Sequence, residues 1–479
     1  MCTPMSRSRP IALCLALSIA LARAPAIAAA EPPPDPALPA PLRGAGPPPW
    51  WPASQKRAPV AIGSIIPVGI CGDSGGGTLR AAAAAAVDGD TIDMTQLACG
   101  TITLTTGAIV LNAQHVTLRG PTHRALTITA TSQDGILRQP GGDSLALYNL
   151  TLAGGVADSY VTQDSRGGCI FASGDVSLTD VVIDGCVTQA GPNDATPIDG
   201  GGVWAGGRAS LYGSRISGCR AAAVFVGTPR LFGGGLYAGG GLVMMSSTLD
   251  GNQAYSPFGS YGGGAFVRGD TYVRYSTISR NASGKYGSFG LLPGNVGGIA
   301  VVEAFRASAF NSTISGSYAS GSIGGMYSDA GGIDTSILNS TIAFNHARYA
   351  SAYGAGLHVP GSVNVLGSIV SNNAGGGVAS DLTAGVLTGN NNLIMVSSVY
   401  LPGTITSDPQ LGPLQDNGGP TRTHALAAGS PAIDTGFSLP VTTYDQRGLP
   451  YSRVFGANTD IGAFELQPRG DVIFANGFD

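Results

Sequence analysis

Side chains able to do chemistry are sparse in this sequence. Lysine occurs only at Lys56 and Lys285, histidine five times, and charged residues make up 11% of 479 positions. Glycoside hydrolysis requires two carboxylates at a set separation, and eliminative cleavage of a polysaccharide requires a base near calcium-binding acids. The best acid/base pairing is Asp334 with His358, placed on one outward column of adjacent coils in the repeat described below. Asp184 and Asp250 follow core positions of that repeat on coils that are not neighbours, so no metal site is expected. No C-x-x-C spacing exists for zinc, and the Ser-x-Gly and His occurrences form no nucleophile elbow. Neither metal nor cofactor is therefore expected. A second set is more regular. Phe171, Trp204, Tyr237 and Phe266 each stand second in a strand that follows Gly-Gly, and Ala300, Asp334 and His358 continue the series. Their neighbours are small or aliphatic, so alternation turns the aromatic column outward, where a ring can offer its face to a sugar. If loops cover the column, or the register inverts, the rings stack inside instead.

These columns exist because the chain repeats. Ile183, Ile216, Leu249, Ile278, Ile314, Ile342 and Ile369 close similar hexapeptides, covering 186 residues in six steps, a mean of 31. A second motif keeps step with the first: Gly-Gly at 167–168, 201–202, 234–235, 263–264, 297–298 and 331–332. Each unit reads as two or three short strands joined by Gly, Asn and Ser turns, without helical periodicity. Strands recurring at a fixed interval, with no room for crossover helices, stack as a right-handed parallel β-helix rising ~4.8 Å per coil. A β-propeller blade is longer and needs turn signals every 8–12 residues. Two residues before each core position runs an inward serine column (Ser214, Ser247, Ser276, Ser312, Ser340), and three after it run Cys186, Cys219, Asn252, Asn281, Ser317, Asn345 and Asn372. The 74 glycines exclude an ordinary helical domain, the 43% hydrophobic content excludes disorder, and the absent G-x-y period excludes collagen. A net charge of −4 leaves no basic footprint for nucleic acid.

The ends differ from the body. Arg7 and Arg9, an apolar stretch from Ile11 to Ala22 and small residues up to Ala30 read as a secretory signal peptide over 1–30. Residues 31–60 hold 11 prolines and read as an extended linker, ending near Trp50 and Trp51. No further stretch is long enough to span a membrane. Export leaves Cys71, Cys99, Cys169, Cys186 and Cys219, an odd number in a disulfide-permissive compartment. Cys186 and Cys219 fall in one column on adjacent coils, so they are expected to pair. Cys71 with Cys99 closes the first coils, and Cys169 is left free. Thr78 through the alanine run to Val87 forms the one convincing helix, a cap over the first coil of a solenoid spanning 61–395.

Several segments resemble known families. Thr78-Leu79-Arg80-Ala81-Ala82 followed by Gly89-Asp90-Thr91-Ile92 resembles the opening of secreted bacterial β-helix proteins of the CSLREA type, with Gly77-Thr78 where that family has Cys-Ser. Asp408-Pro409-Gln410-Leu411-Gly412, Asp416-Asn417-Gly418-Gly419-Pro420-Thr421, His424-Ala425-Leu426, Gly429-Ser430-Pro431-Ala432-Ile433-Asp434, Asp445-Gln446-Arg447-Gly448 and Asp460-Ile461-Gly462-Ala463-Phe464-Glu465 resemble the choice-of-anchor Q module. The resemblance implies an irregular β closing module at 396–466. The Gly-Gly-x-Ile units with Phe344-Asn345 resemble repeats of polymorphic outer-membrane proteins. The tail, 467–479, resembles a terminal motif of exported Gram-negative proteins, which implies sorting to the outer surface or the medium. Of the polygalacturonase motifs only Asn458-Thr459-Asp460 is present, inside the closing module. The expectation is a monomeric, exported β-helix scaffold, adhesin-like or glycan-binding, with a polysaccharide or cell-surface glycan as partner, no nucleic acid and no identifiable catalytic site. The rivals are a polysaccharide lyase or glycoside hydrolase of the pectin-lyase-like superfamily, and a purely structural surface protein.

Overall fold

The computed structural model describes residues 63–159, 165–190, 198–223, 230–256, 259–284, 296–348, 353–376, 378–437 and 442–467. The expected signal peptide, the proline-rich linker with Trp50 and Trp51, and the tail beyond 467 lie outside these residues. Short strands follow one another through tight glycine turns, and each hydrogen-bonds to its counterpart one repeat later. One coil runs through Val203–Ala205, Ala209–Tyr212, Arg215–Ser217 and Arg220–Ala222. Its strands pair in parallel with Leu236–Ala238, Leu242–Met245, Thr248–Asp250 and Gln253–Tyr255 of the next coil. Repetition builds an 18-stranded sheet from the first two strand positions, an 11-stranded sheet from the third and a nine-stranded sheet from the fourth. The result is an all-β parallel solenoid.

Alternation sends one residue in two inward, and the interior is columnar. Ile183, Ile216, Leu249, Ile278, Ile314 and Ile342 are all essentially inaccessible. The column continues through Val370, which opposes Ile342, to Ile394, whereas Ile369 opposes Thr341 and faces outward. The serine column is a hydrogen-bonded ladder. The backbone N–H groups of Ser214, Ser247, Ser276 and Ser312 each donate to the Oγ of the serine one coil on, at 3.1–3.2 Å. Each Oγ in turn donates to the carbonyl two residues before it, as Ser247 does to Met245 at 2.8 Å. The neighbouring ladder uses amides: Asn252 donates from N and Nδ2 to Asn281 Oδ1, and Asn345 likewise to Asn373 Oδ1, at 2.9–3.0 Å. Asn373, not Asn372, holds the last rung, and it donates to Asp381 Oδ1.

Cys71–Cys99 forms as expected, but the second disulfide is Cys169–Cys186, with Cα atoms 5.6 Å apart, and Cys219 is the buried free thiol. The reason lies in the ladder. In later coils the third glycine of the bend faces the ladder amide: a Cβ on Gly235 would meet Asn252 Cγ at 2.7 Å, and one on Gly264 would meet Asn281 at 2.9 Å. Cys169 occupies that glycine position and Cys186 the amide position, so the two thiols face each other within one coil. Cys219 faces Gly202, which has no side chain to offer; a Cβ there would stand 2.8 Å from its Sγ. Burial pushes the Cys219 thiol up to about 12.

Helix Leu79–Ala85, capped by the Thr78 hydroxyl, buries Leu79, Ala82 and Ala83 against the first coils. At the far end the chain folds back along the outer side of the 11-stranded sheet. Thr277 Oγ1 donates to the Arg422 carbonyl at 2.7 Å and Thr313 Oγ1 to Gln446 Oε1 at 2.6 Å, while Thr341 Oγ1 accepts from Ala463 N at 3.0 Å. Gly462 lies so close to the sheet that a Cβ would stand 2.8 Å from Ile369 Cδ1. Beneath this segment Asp445 and Arg447 form a buried ion pair at 2.7 Å. Among the described residues no helix is long and apolar enough to cross a membrane.

Candidate functional site

The aromatic column stands just after the glycine bend of each coil. Close stacking forces the glycines, since a Cβ on Gly201 would lie 2.1 Å from the Gly234 carbonyl oxygen. After the bend, Ile170, Val203, Leu236 and Ala265 point inward with no exposed surface. Phe171, Trp204, Tyr237 and Phe266 therefore point outward, in register from coil to coil.

Their rings stack on one another. Phe171–Trp204 centroids are 4.9 Å apart with planes 9° off parallel, Trp204–Tyr237 5.7 Å and 6°, and Tyr237–Phe266 5.8 Å and 15°. Ring faces thus meet ring faces along the solenoid axis, and the rims turn sideways. One guanidinium group continues the stack at its N-terminal end, Arg138 lying 4.7 Å from the Phe171 centroid, while Arg166 packs beside the file, 4.9 Å from the Phe171 centroid and 4.2 Å from that of Trp204. Rings from the strand before the bend pack against those after it, Phe232 standing 5.7 Å from Tyr261 and 4.5 Å from Phe266. Phe171 and Phe266 keep only 5% and 8% of their surface, while Trp204 and Tyr237 remain half-buried.

Beyond Ala300 the column resumes with Tyr327 and His358, centroids 5.8 Å apart, and Tyr353 meets His358 edge-on at 4.5 Å. Asp334 is not in this column. It opposes Arg306 in the second strand position, and the partner of His358 is Tyr327. The bend of that coil is Gly324-Gly325, which precedes Met326, so the coil is shorter than the mean period and the Gly331-Gly332 pair falls within a long strand, Met326–Leu338. Asp334 and His358 therefore do not share the column that the expected acid/base pair requires. Burial lowers the His358 pKa, countered in part by a backbone hydrogen bond with Thr383.

The carboxylates of Asp250 and Asp184 on the other face are engaged in an ion pair and a hydrogen bond respectively. Asp250 accepts from Arg280 Nε and Ser279 Oγ, each at 2.8 Å, and lies 3.8 Å from Arg215. Asp184 accepts from Ser217 Oγ at 2.7 Å. Among the described residues no group of three or more His, Cys, Asp or Glu side chains is gathered as a metal site.

No family model and no curated protein matches the chain. Among solved structures it is similar to the crystal structure of pectate lyase Pel9A, with 13% sequence identity and a TM-score of 0.44, over 85% of this chain and 98% of that one.

Proposed function

We propose that the protein is an exported β-solenoid scaffold that holds a polysaccharide or cell-surface glycan along its aromatic face, as an adhesin does. One observation carries the reading: Arg138, Phe171, Trp204, Tyr237 and Phe266 stand in a single file along the solenoid axis, one per coil, with the rims of Trp204 and Tyr237 turned sideways. A linear polymer laid along such a file makes many weak contacts at once, and their linkage raises the total affinity well above that of one contact. The half-exposed rims of Trp204 and Tyr237 offer apolar contact area to a sugar, the ring faces being taken up by the stack, and the guanidinium groups suit hydroxyl or carboxylate oxygens. The two disulfides fit an oxidising compartment outside the cytosol.

Retention of the purified protein on a panel of immobilised acidic and neutral polysaccharides tests this. At least one polysaccharide should retain the wild type, and Trp204→Ala and Tyr237→Ala should each weaken retention about tenfold at unchanged secondary structure. Equal retention by both variants removes the aromatic face from the binding surface. Release of reducing or unsaturated ends above background, abolished by His358→Ala, would replace the scaffold with an enzyme.

A further inference from the structure

Where the C-terminal segment lies against the 11-stranded sheet, it places a histidine against a serine at the edge of a cavity. Ser315 ends the strand Thr313–Ser315 and precedes Gly316, whose φ of +64° turns the chain sharply. His424 belongs to the strand Thr423–Leu426, which pairs antiparallel with Leu411–Gln415. Ser315 Oγ and His424 Nε2 are 2.8 Å apart, and His424 Nδ1 is 2.7 Å from the Gly412 carbonyl oxygen. A carbonyl can only accept, so Nδ1 carries the proton, and Nε2 of the neutral ring is the acceptor for the serine hydroxyl. Both side chains border a cavity of about 310 Å³, lined further by Arg280, Phe344, Leu411 and Leu414.

From this geometry we propose a hydrolytic site in which Ser315 is the nucleophile and His424 the general base, acting on a carboxylic ester with a short apolar acyl group. Nucleophile, base and a third group that orients the base are the three parts such a site needs. The Ser315 Oγ bonds to the ester carbonyl carbon and its proton passes to His424 Nε2. The carbonyl oxygen takes up negative charge facing Arg280, whose guanidinium is held in place by Asp250. The C–O bond to the alcohol then breaks, and the alcohol leaves with the proton from Nε2. Water attacks the acylated serine, giving its proton to Nε2, and the carboxylic acid departs as Ser315 recovers its hydrogen. The acyl chain lies against Phe344, Leu411 and Leu414. Burial holds the His424 pKa below its ordinary value, which keeps the ring neutral and basic at neutral pH.

His424 also helps join the two parts of the molecule, so the test must distinguish chemistry from docking. The full purified chain is incubated with a fluorophosphonate probe and, separately, with p-nitrophenyl acetate and butyrate. The expected result is one phosphonylated residue per chain, identified as Ser315 by peptide mass spectrometry, and ester hydrolysis that falls at least 100-fold in Ser315→Ala. Hydrolysis should rise with pH to a plateau, its midpoint below pH 6.5, as His424 loses its proton; a purely structural contact would produce no such profile. Ser315→Ala removes one hydroxyl and leaves His424 bonded to Gly412, so loss of labelling in a variant with wild-type circular dichroism supports the site. Absence of a Ser315 adduct on the wild type, or hydrolysis unchanged in Ser315→Ala, overturns it.

Discussion

Asn281→Ala tests whether the amide ladder holds the coils together or merely accompanies the apolar core. Asn281 is fully buried. Its Nδ2 donates to the Leu249 carbonyl at 3.0 Å, and its Oδ1 accepts from both N and Nδ2 of Asn252. Alanine removes all three contacts. Asn252 Nδ2 retains the Ile216 carbonyl at 2.9 Å and Leu249 O keeps its place in the parallel strand ladder, so Asn252 N is the backbone group that loses its acceptor where water cannot replace it. At about 1–3 kcal/mol for a buried polar group left unsatisfied, the variant should be destabilised by about 1–3 kcal/mol. Guanidinium unfolding followed by circular dichroism measures the change, with Asn364→Ala as an exposed control expected to stay within about 0.5 kcal/mol. Because each coil contacts only its neighbours, hydrogen exchange should rise first in the strands Thr248–Asp250 and Thr277–Ser279. An unfolding midpoint equal to that of the control would refute the reasoning and leave the strand ladders, the serine ladder and the isoleucine column to tie the coils together.

Two further outcomes follow from the same architecture. Cys219 Sγ lies 4.0 Å from the Ile183 carbonyl, at the rung where Asn252 Nδ2 reaches the Ile216 carbonyl at 2.9 Å, so Cys219→Asn should extend the ladder by one rung. A gain of about 1 kcal/mol in guanidinium unfolding is expected, with the thiol count in denaturant falling by one; a loss of more than 1 kcal/mol would count against it. Burial raises the Glu465 pKa to about 8 from 4.5, with the nearby Asp460 charge acting in the same direction, although its oxygens accept from Phe455 N and Asp460 N. The folded state therefore binds this proton more tightly than the unfolded state. The resulting stabilisation is full below about pH 4.5 and is lost as pH rises through about 8. Thermal unfolding between pH 5 and 8.5 should show stability declining, and Glu465→Gln should flatten the slope whatever its effect at any single pH. A slope identical in the variant would place the pH dependence elsewhere.

The motif Ser-Thr-Ile shows how far residue order carries and where it stops. Its isoleucine and serine were legible, because an apolar residue two after a small hydroxyl, repeated every coil, can only mean two inward columns of a parallel stack. The threonine between them points outward, and its meaning depended on a segment more than a hundred residues away. Thr277, Thr313 and Thr341 are buried because Arg422, Gln446 and Ala463 cover them, whereas Thr248, beyond that cover, is only half-buried. Long-range docking of this kind leaves no local period to detect. The cysteine pairing fails differently, since its signal was present in the sequence. Cys169 stands where every later bend ends on a glycine, and Cys186 stands where the ladder has an amide, so comparing columns across the bend identifies the facing pair, whereas comparing along one column does not. Asp334 was misplaced because coil length is set by loops: the step from Ala265 to Ile299 is 34 residues, but from Ile299 to Met326 only 27. A mean period locates the core, which tolerates no slip. It does not locate the outward side chains at a particular coil, and those are where both candidate sites lie. The Ser315–His424 contact illustrates this most strongly, joining a strand end of the stack to a hairpin 109 positions later through two residues that no spacing rule connects.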